Sequence, residues 1–104
     1  MSLKLKKREV KAMKGKEQIV VEFPAENEVI SNPDYSIRIE SGSTGFVEVS
    51  IDGGEWVSCY NSVGYWWFYW SHYGPGEHKI IARLCDENGC VVKESEVRSC
   101  RYKV

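Results

Sequence analysis

The sequence lacks several features that mark whole classes of protein. No apolar run approaches the roughly 18 residues that a membrane-spanning helix requires. No segment keeps the 3.6-residue spacing of apolar positions that is typical of an amphipathic helix, and no internal repeat is present. These absences argue against a helical bundle, a helical membrane protein and a repeat array. They leave a protein built from strands and turns.

The 104 residues suffice for one domain with a single core that needs no metal or cross-link. Hydrophobic residues make up 42% of the chain and charged residues 28%, which is ordinary for a folded globular protein. We therefore expect one compact unit and no extensive disorder.

Charge is distributed unevenly along the chain, although the net charge is only −1. Residues 1–16 carry seven basic side chains and one glutamate, a net charge of +6, so the remaining residues carry −7. We interpret residues 1–16 as a flexible basic arm or a leader added for expression, and residues 17–104 as the domain. The arm lacks the apolar stretch of a signal peptide, and it lacks the interleaved aromatics that would stack on bases. Nucleic-acid binding is therefore not expected, and a linker or solubilising tail is the simpler interpretation.

Short β-rich runs separated by turn signals fill the domain. Residues 35–40 and 46–52 alternate apolar and polar side chains, as half-buried strands do. Glycine-rich turns follow at 52–54 and 74–76, and residues 91–104 are expected to form a last strand with a bulge near Ser95. This pattern predicts an all-β fold, a two-sheet antiparallel β-sandwich.

The densest aromatic stretch of the chain spans residues 64–73. Side chains alternate across a strand, so this stretch places aromatic rings on both of its faces. One face carries rings without a hydroxyl and is expected to pack in the core: Trp66, Phe68 and Trp70. The other face carries rings with polar tips and is expected to point outward: Tyr65, Trp67 and Tyr69. His72 and Tyr73 are expected at the rim of this outer face. The alternative is that a loop, the arm or Trp56 covers this outer face.

An open row of tyrosine and tryptophan predicts a binding surface, because both residues are enriched at protein interfaces. We expect contact with a protein partner or self-association through this row. The alternative is a carbohydrate-binding module in which Tyr65, Trp67 and Tyr69 stack on sugar rings.

Four cysteines offer two candidate disulfides. Cys85 and Cys90 flank a tight hairpin turn, where paired strands can bring Cα atoms within the roughly 4.4–6.8 Å that a disulfide needs. Cys59 and Cys100 remain as a second pair, although sequence alone cannot choose among the three possible pairings. Disulfides would place the domain in an extracytoplasmic or cell-surface compartment. Plain buried thiols are the alternative, and zinc is disfavoured because no CxxC spacing occurs.

No pattern indicates catalysis, a cofactor or a metal. The carboxylates at turns are expected to cap or to be solvated. Ser71 and His72 are neighbours in a predicted strand and should therefore point to opposite faces, which makes them a poor nucleophile–base pair. The turn at 74–76 is followed by no helix and so is not a phosphate loop. We expect a protein that is not an enzyme.

Part of the chain, residues 46–90, resembles a known family. The segments that carry the likeness are 47–56, 67–70, 75–84 and 86–89. They resemble immunoglobulin-like sandwiches of the early-set type, which include the dimerisation domain of sulfite-oxidase-like enzymes and bacterial immunoglobulin-like accessory modules. The resemblance implies an immunoglobulin-like fold and a module that supplies contacts while the chemistry sits in another domain. The cysteine that ligates molybdenum belongs to that other domain, so no cysteine here inherits its role.

Overall fold

A computed structural model of the chain describes residues 18–42 and 45–104. The predicted basic arm, residues 1–16, lies outside this part. The described residues form strands and turns, and none of them forms a helix that could span a membrane. The strands are β1 (Ile19–Phe23), β2 (Glu28–Ile30), β3 (Asp34–Ser41), β4 (Phe46–Ile51), β5 (Val57–Ser58), β6 (Tyr60–Ser62), β7 (Tyr65–Ser71), β8 (Gly76–Cys85), β9 (Val91–Glu94) and β10 (Arg98–Tyr102).

The strands form two sheets, as the sequence pattern predicts. The first sheet has the order β1-β3-β7-β6, and the second has the order β2-β10-β8-β4-β5. Strand β9 pairs with β8 beyond the end of β10, and β2 runs parallel to β10, whereas the other pairs are antiparallel. The predicted all-β, two-sheet sandwich is therefore confirmed.

The core lies between the facing sides of the two sheets. Alternation along β3 buries Ile37 and Ile39 completely, and alternation along β8 does the same for Ile80 and Ala82. These apolar side chains leave water together, which supplies the main drive for packing the sheets. The core cluster comprises Ile19, Val21, Ile30, Ile37, Ile39, Val47, Val49, Trp70, Ile80, Ala82, Leu84 and Cys100.

The last strand is interrupted where the sequence predicts a bulge. β9 ends at Glu94 and β10 begins at Arg98. The backbone N–H of Ser95 donates to the Ala82 carbonyl at 2.8 Å, and the Ser95 hydroxyl accepts from the Ala82 N–H at 2.9 Å. The serine thus continues the hydrogen bonding to β8 while the backbone kinks, and the predicted bulge is confirmed.

A second bulge interrupts the pairing of β1 with β3 between Val21 and Phe23. Strict alternation would place both residues in the core, yet Val21 is buried and Phe23 is 43% exposed. Because a bulge inserts one extra residue, Glu22 and Phe23 both reach the outer side of the sheet. The sequence gives no sign of this beyond Pro24, which follows the strand.

The β6–β7 hairpin closes through a two-residue turn, Val63-Gly64, because Ser62 pairs with Tyr65. Both turn residues have positive φ, 47° for Val63 and 85° for Gly64. Such a turn matches the twist of the flanking strands, but the left-handed backbone is unfavourable for a β-branched residue. The strained Val63 side chain is 81% exposed.

Candidate interaction surface

One row of side chains crosses all four strands of the first sheet on its outer side. Phe23 pairs with Arg38, Arg38 with Trp67, and Trp67 with Tyr60. Residues opposite each other in a ladder point to the same face, so an arginine and three aromatic rings lie side by side. We call the outer side of this sheet the Arg38 surface. It comprises Val20, Glu22, Phe23, Asp34, Ser36, Arg38, Glu40, Tyr60, Tyr65, Trp67 and Tyr69.

Arg38 is fixed at the centre of this surface. Its guanidinium carbon lies 4.6 Å from the Phe23 ring centroid and 4.2 Å from that of Tyr65. Its Nε donates to Glu22 Oε1 at 2.9 Å. Two cation–π contacts and one charge-assisted hydrogen bond therefore hold the side chain in place. A partner would meet a charge that is already ordered.

The structure places Tyr65, Trp67 and Tyr69 on the outer side of the sheet, but unequally exposed. Tyr65 and Trp67 are half-buried and pack edge to face, with ring centroids 6.2 Å apart. The Trp67 indole N–H donates to the Ser62 carbonyl at 2.9 Å. Tyr69 is 57% exposed. The other three rings point inward: Trp70 is buried, and Trp66 and Phe68 pack partly buried against the core.

Three of the four residues in the central row were not predicted from the sequence: Phe23, Arg38 and Tyr60. Phe23 reaches the surface only through the β1 bulge. Tyr60 could have been found, because a two-residue turn at 63–64 fixes the register that sets it opposite Trp67. Phe23 and Tyr60 are 43% and 57% exposed, and Val20 adds a further apolar side chain, 41% exposed.

The charge of the surface is negative. The surface carries three carboxylates, Glu22, Glu40 and Asp34, and one cation, Arg38, so its net charge is −2. A hydrogen bond that the protonated Glu40 carboxyl donates to Glu22, together with the negative charge of Glu22, raises the pKa of the Glu40 carboxyl, so the two glutamates lie close together. A hydrogen bond to Asp34 likewise raises the pKa of the Tyr69 hydroxyl. The carboxylates outnumber the cation that neutralises them.

Tyr73 and His72, which are predicted at the rim of the aromatic row, follow the end of β7. Tyr73 packs against Trp70 and Tyr102, at centroid distances of 4.1 and 4.7 Å, and its hydroxyl donates to the Asn32 carbonyl at 2.6 Å. Tyr73 therefore closes one end of the sandwich, because its ring packs against the inward-facing Trp70. The rim roles of Tyr73 and His72 stay predictions.

Ser71 and His72 were expected to point to opposite faces, which is wrong. The Ser71 hydroxyl lies 3.0 Å from His72 Nδ1. β7 ends at Ser71, and His72 adopts a left-handed backbone with φ of 61°, so strand alternation no longer applies to it. The imidazole is exposed, and the contact joins two solvated groups.

A second aromatic group, which we call the His78 cluster, surrounds a buried histidine. It comprises Trp70, Tyr73, His78 and Tyr102, with the Asp52 carboxylate at its edge.

Both imidazole nitrogens of His78 face acceptors. Nδ1 lies 2.6 Å from Asp52 Oδ2, and Nε2 lies 2.6 Å from the Gly74 carbonyl oxygen. Burial lowers the pKa of His78, but the hydrogen bonds to Asp52 and Gly74 and the charge of Asp52 outweigh it, so that the pKa is raised. Only the imidazolium donates from both nitrogens at once, so this geometry favours the charged form.

All four cysteines are free thiols in the structure. The backbone N–H of Cys59 donates to the carbonyl of Val47, and Val47 pairs with Leu84 of β8. Cys100 pairs with His78, six residues earlier on the same strand. Six strand residues span about 20 Å, which is too far for a disulfide, so the predicted Cys59–Cys100 pair is wrong.

Cys85 and Cys90 are also not bonded. Cys85 pairs with Val91, and Cys90 lies one position off that register, which turns the two side chains to opposite faces. Cys85 is buried and Cys90 is exposed. Burial, with the nearby charge of Glu48, raises the pKa of the Cys59 thiol to about 12, and burial raises that of Cys100 to about 11. Across residues 18–42 and 45–104, no group of three His, Cys, Asp or Glu side chains is placed to hold a metal ion.

Comparisons with known proteins support the fold. No protein-family model and no curated protein sequence matches the chain. Fourteen solved chains match it by structure. Among them, the fibronectin(III)-like modules of Clostridium thermocellum CbhA align with a TM-score of 0.68 and 19% identity, over 84% of this chain and 97% of that one. An engineered protein aligns with a TM-score of 0.65 and 15% identity over 84% of this chain, which spans only 20% of that protein.

At these identities the likeness concerns the fold alone. The narrower resemblance to the dimerisation domain of sulfite-oxidase-like enzymes stays a prediction. The chain is an immunoglobulin-like β-sandwich that is similar in structure to fibronectin(III)-like modules.

Proposed function

We propose that this domain is a non-catalytic interaction module and that its Arg38 surface binds a protein partner. The observation that carries the proposal is the row Phe23–Arg38–Trp67–Tyr60, which spans the whole outer side of one sheet. Aromatic residues and arginine are the side chains that most often dominate binding energy at interfaces.

The surface is ordered before any partner arrives. Arg38 is held by Glu22 and two rings, and Trp67 is held by its hydrogen bond to Ser62. Binding then costs little side-chain entropy, because these groups have few rotamers left to lose. Tyr60 and Tyr69, each 57% exposed, supply apolar area that a partner would bury.

Two features favour a protein over a sugar as the ligand. Val20 and Phe23 are exposed without any polar tip that could bond a sugar hydroxyl. The Trp67 ring is half-buried and its indole N–H donates to the Ser62 carbonyl, so this N–H is not free to bond a sugar hydroxyl.

The charge of the surface favours a different protein over a second copy. Face-to-face pairing of two copies would bring two surfaces of net charge −2 together, and like charges disfavour such contact. A partner that carries lysine or arginine around an apolar centre complements the surface.

Affinity capture followed by titration with the purified partner tests the proposal. The surface variant carries Tyr60→Ser and Tyr69→Ser, and the matched control carries Phe46→Ser. Phe46 is 56% exposed on the outer side of the second sheet. We expect the surface variant to bind at least about tenfold more weakly and the control to bind like the wild type. Equal binding by all three proteins would contradict the proposal.

Sedimentation and affinity electrophoresis in polysaccharide gels examine the alternatives with the same variants. If the wild type self-associates and the surface variant does not, the partner of the surface is a second copy of this chain. If a polysaccharide gel retards the wild type and the control but not the surface variant, the ligand is a carbohydrate.

A further inference from the structure

We infer that the basic segment 1–16 of the same chain docks on the Arg38 surface and covers it until a partner displaces the segment. This inference rests on the proposed function, because it assigns a regulator to the same surface. It follows from charge, from the path of the chain and from the residue pattern of the segment.

The Arg38 surface carries carboxylates in excess. Glu22, Glu40 and Asp34 share one arginine there. On the rest of the domain, three acids are paired with a cation: Glu48 with Arg83 at 2.8 Å, Glu26 with Arg98 at 3.5 Å, and Asp52 with His78 at 2.6 Å. The segment 1–16 has a net charge of +6, and it is the most basic stretch of the chain. The excess charge of the surface and that of the segment are opposite in sign.

The chain enters the sandwich at the edge of this surface. β1 is the edge strand of the first sheet, and its outward side chains Val20 and Glu22 belong to the Arg38 surface. Gln18 still lies beside the end of β3, where its carbonyl accepts from the Gly42 N–H at 3.2 Å. Four strands at about 4.8 Å spacing are about 14 Å across, whereas 16 residues can extend for about 50 Å. The segment is long enough to cross the surface and is tethered next to it.

The residue pattern of the segment complements the surface in a second way. Leu3, Leu5 and Val10 are interleaved with lysines. Lysines can pair with Glu22, Glu40 and Asp34, and the aliphatic side chains can cover Val20 and Phe23. Tethering raises the effective concentration of the segment into the millimolar range, so even weak contacts suffice for binding in cis.

Zero-length carbodiimide cross-linking of the full chain tests the inference, because it joins a lysine amine to a carboxylate only when the two touch. Cross-linked monomer is isolated, digested and quantified by mass spectrometry. We expect lysines 4–16 to link to Glu22, Glu40 and Asp34 at least about fivefold more often than to Glu94, an exposed control on β9. The excess should disappear in about 1 M salt, which screens the attraction. Equal yields on both sets of carboxylates, or links found only in dimers, would overturn the inference.

A pair of variants gives an independent readout on the full chain. Glu40→Gln with Asp34→Asn removes two charges from the surface, and Glu87→Gln with Glu94→Gln removes two from the second sheet and its β8–β9 turn. We expect only the first pair to shift the NMR signal of the Trp67 indole N–H towards its high-salt position. Equal shifts in both pairs would overturn docking on this surface.

The two proposals fail separately. If surface-directed cross-links form while Tyr60→Ser with Tyr69→Ser binds every partner normally, the proposed function is wrong and the docking stands. If the cross-links show no preference while that variant loses its partner, the docking is wrong and the proposed function stands.

Discussion

The Arg38 surface and the His78 cluster are built from the same kinds of group but differ in what they leave open. Each places a cation beside a carboxylate and among aromatic rings: Arg38 with Glu22, and His78 with Asp52. The first lies on the outer side of a sheet, with Tyr60 more than half exposed. The second closes one end of the sandwich, where His78 is only 8% exposed. The same chemistry therefore lies on an open surface in one place and at a closed end of the core in the other.

Strand β7 contributes side chains to both the Arg38 surface and the His78 cluster, because side chains alternate along a strand. Trp67 points to the Arg38 surface, whereas Trp70 points inward to the core and to His78 at 5.1 Å. Exposure, not residue type, thus decides the role of each tryptophan. Substitutions on the two sides of this strand should separate stability from binding.

The largest expected effect compares Trp70→Ala with Trp67→Ala. Loss of the buried Trp70 ring leaves a cavity in the core and should lower the free energy of unfolding by about 3–5 kcal/mol. Trp67 is half-buried and its loss should cost less than half as much. Urea unfolding followed by circular dichroism measures both. Equal losses would mean that the Arg38 surface is as much a structural element as the His78 cluster.

The next effect concerns pH and is confined to the His78 cluster. The folded pKa of His78 is raised above 6.5, so its contribution to stability is full below about pH 6.5 and is lost as pH rises through the folded pKa. Asp52→Asn removes the charge that supports the imidazolium and should lower stability at pH 5.5 by about 1–2 kcal/mol. It should also flatten the decline of stability above pH 6.5. Urea unfolding at several pH values measures this.

Glu22→Gln is the matched control for that prediction, because Arg38 does not titrate in this range. It should leave the pH dependence of unfolding between 5.5 and about 8 unchanged. A decline of stability that persists in Asp52→Asn would show that another group is responsible.

A smaller effect, of opposite sign, is expected at the hairpin that joins β6 to β7. Val63 holds a positive φ that disfavours β-branched residues, and asparagine is a preferred residue at this turn position. Val63→Asn should therefore raise the free energy of unfolding by about 1 kcal/mol, as thermal or urea unfolding would show. Val97→Asn is the control, since Val97 is 52% exposed and is not among the residues with positive φ. Destabilisation by Val63→Asn would show that the valine makes contacts that outweigh its backbone strain.

Much of the fold could be predicted from local sequence, but the composition of the site could not. Alternation in β3 and β7 is a property of neighbouring residues, so Ile37 or Trp70 could be assigned to the core without coordinates. Phe23 could not be placed, because a bulge shifts it by one position. The His78–Asp52 contact joins residues 26 apart and depends on how strands assemble. The cysteine pairs failed for the same reason, since register and not spacing decides which side chains meet.

The smallest expected effect compares two tyrosine hydroxyls, one from each region. The Tyr73 hydroxyl donates to the Asn32 carbonyl at 2.6 Å, in a ring that packs against Trp70 and Tyr102. Tyr73→Phe should therefore cost about 1 kcal/mol of unfolding free energy. Tyr69 is exposed, and its hydroxyl bonds to the exposed Asp34, so Tyr69→Phe should change stability by less than about 0.5 kcal/mol. Urea unfolding of both variants measures the difference. If Tyr69→Phe costs as much as Tyr73→Phe, the outer ring helps to hold the sheet together, and the division between a binding surface and a stabilising cluster does not hold at the level of single side chains.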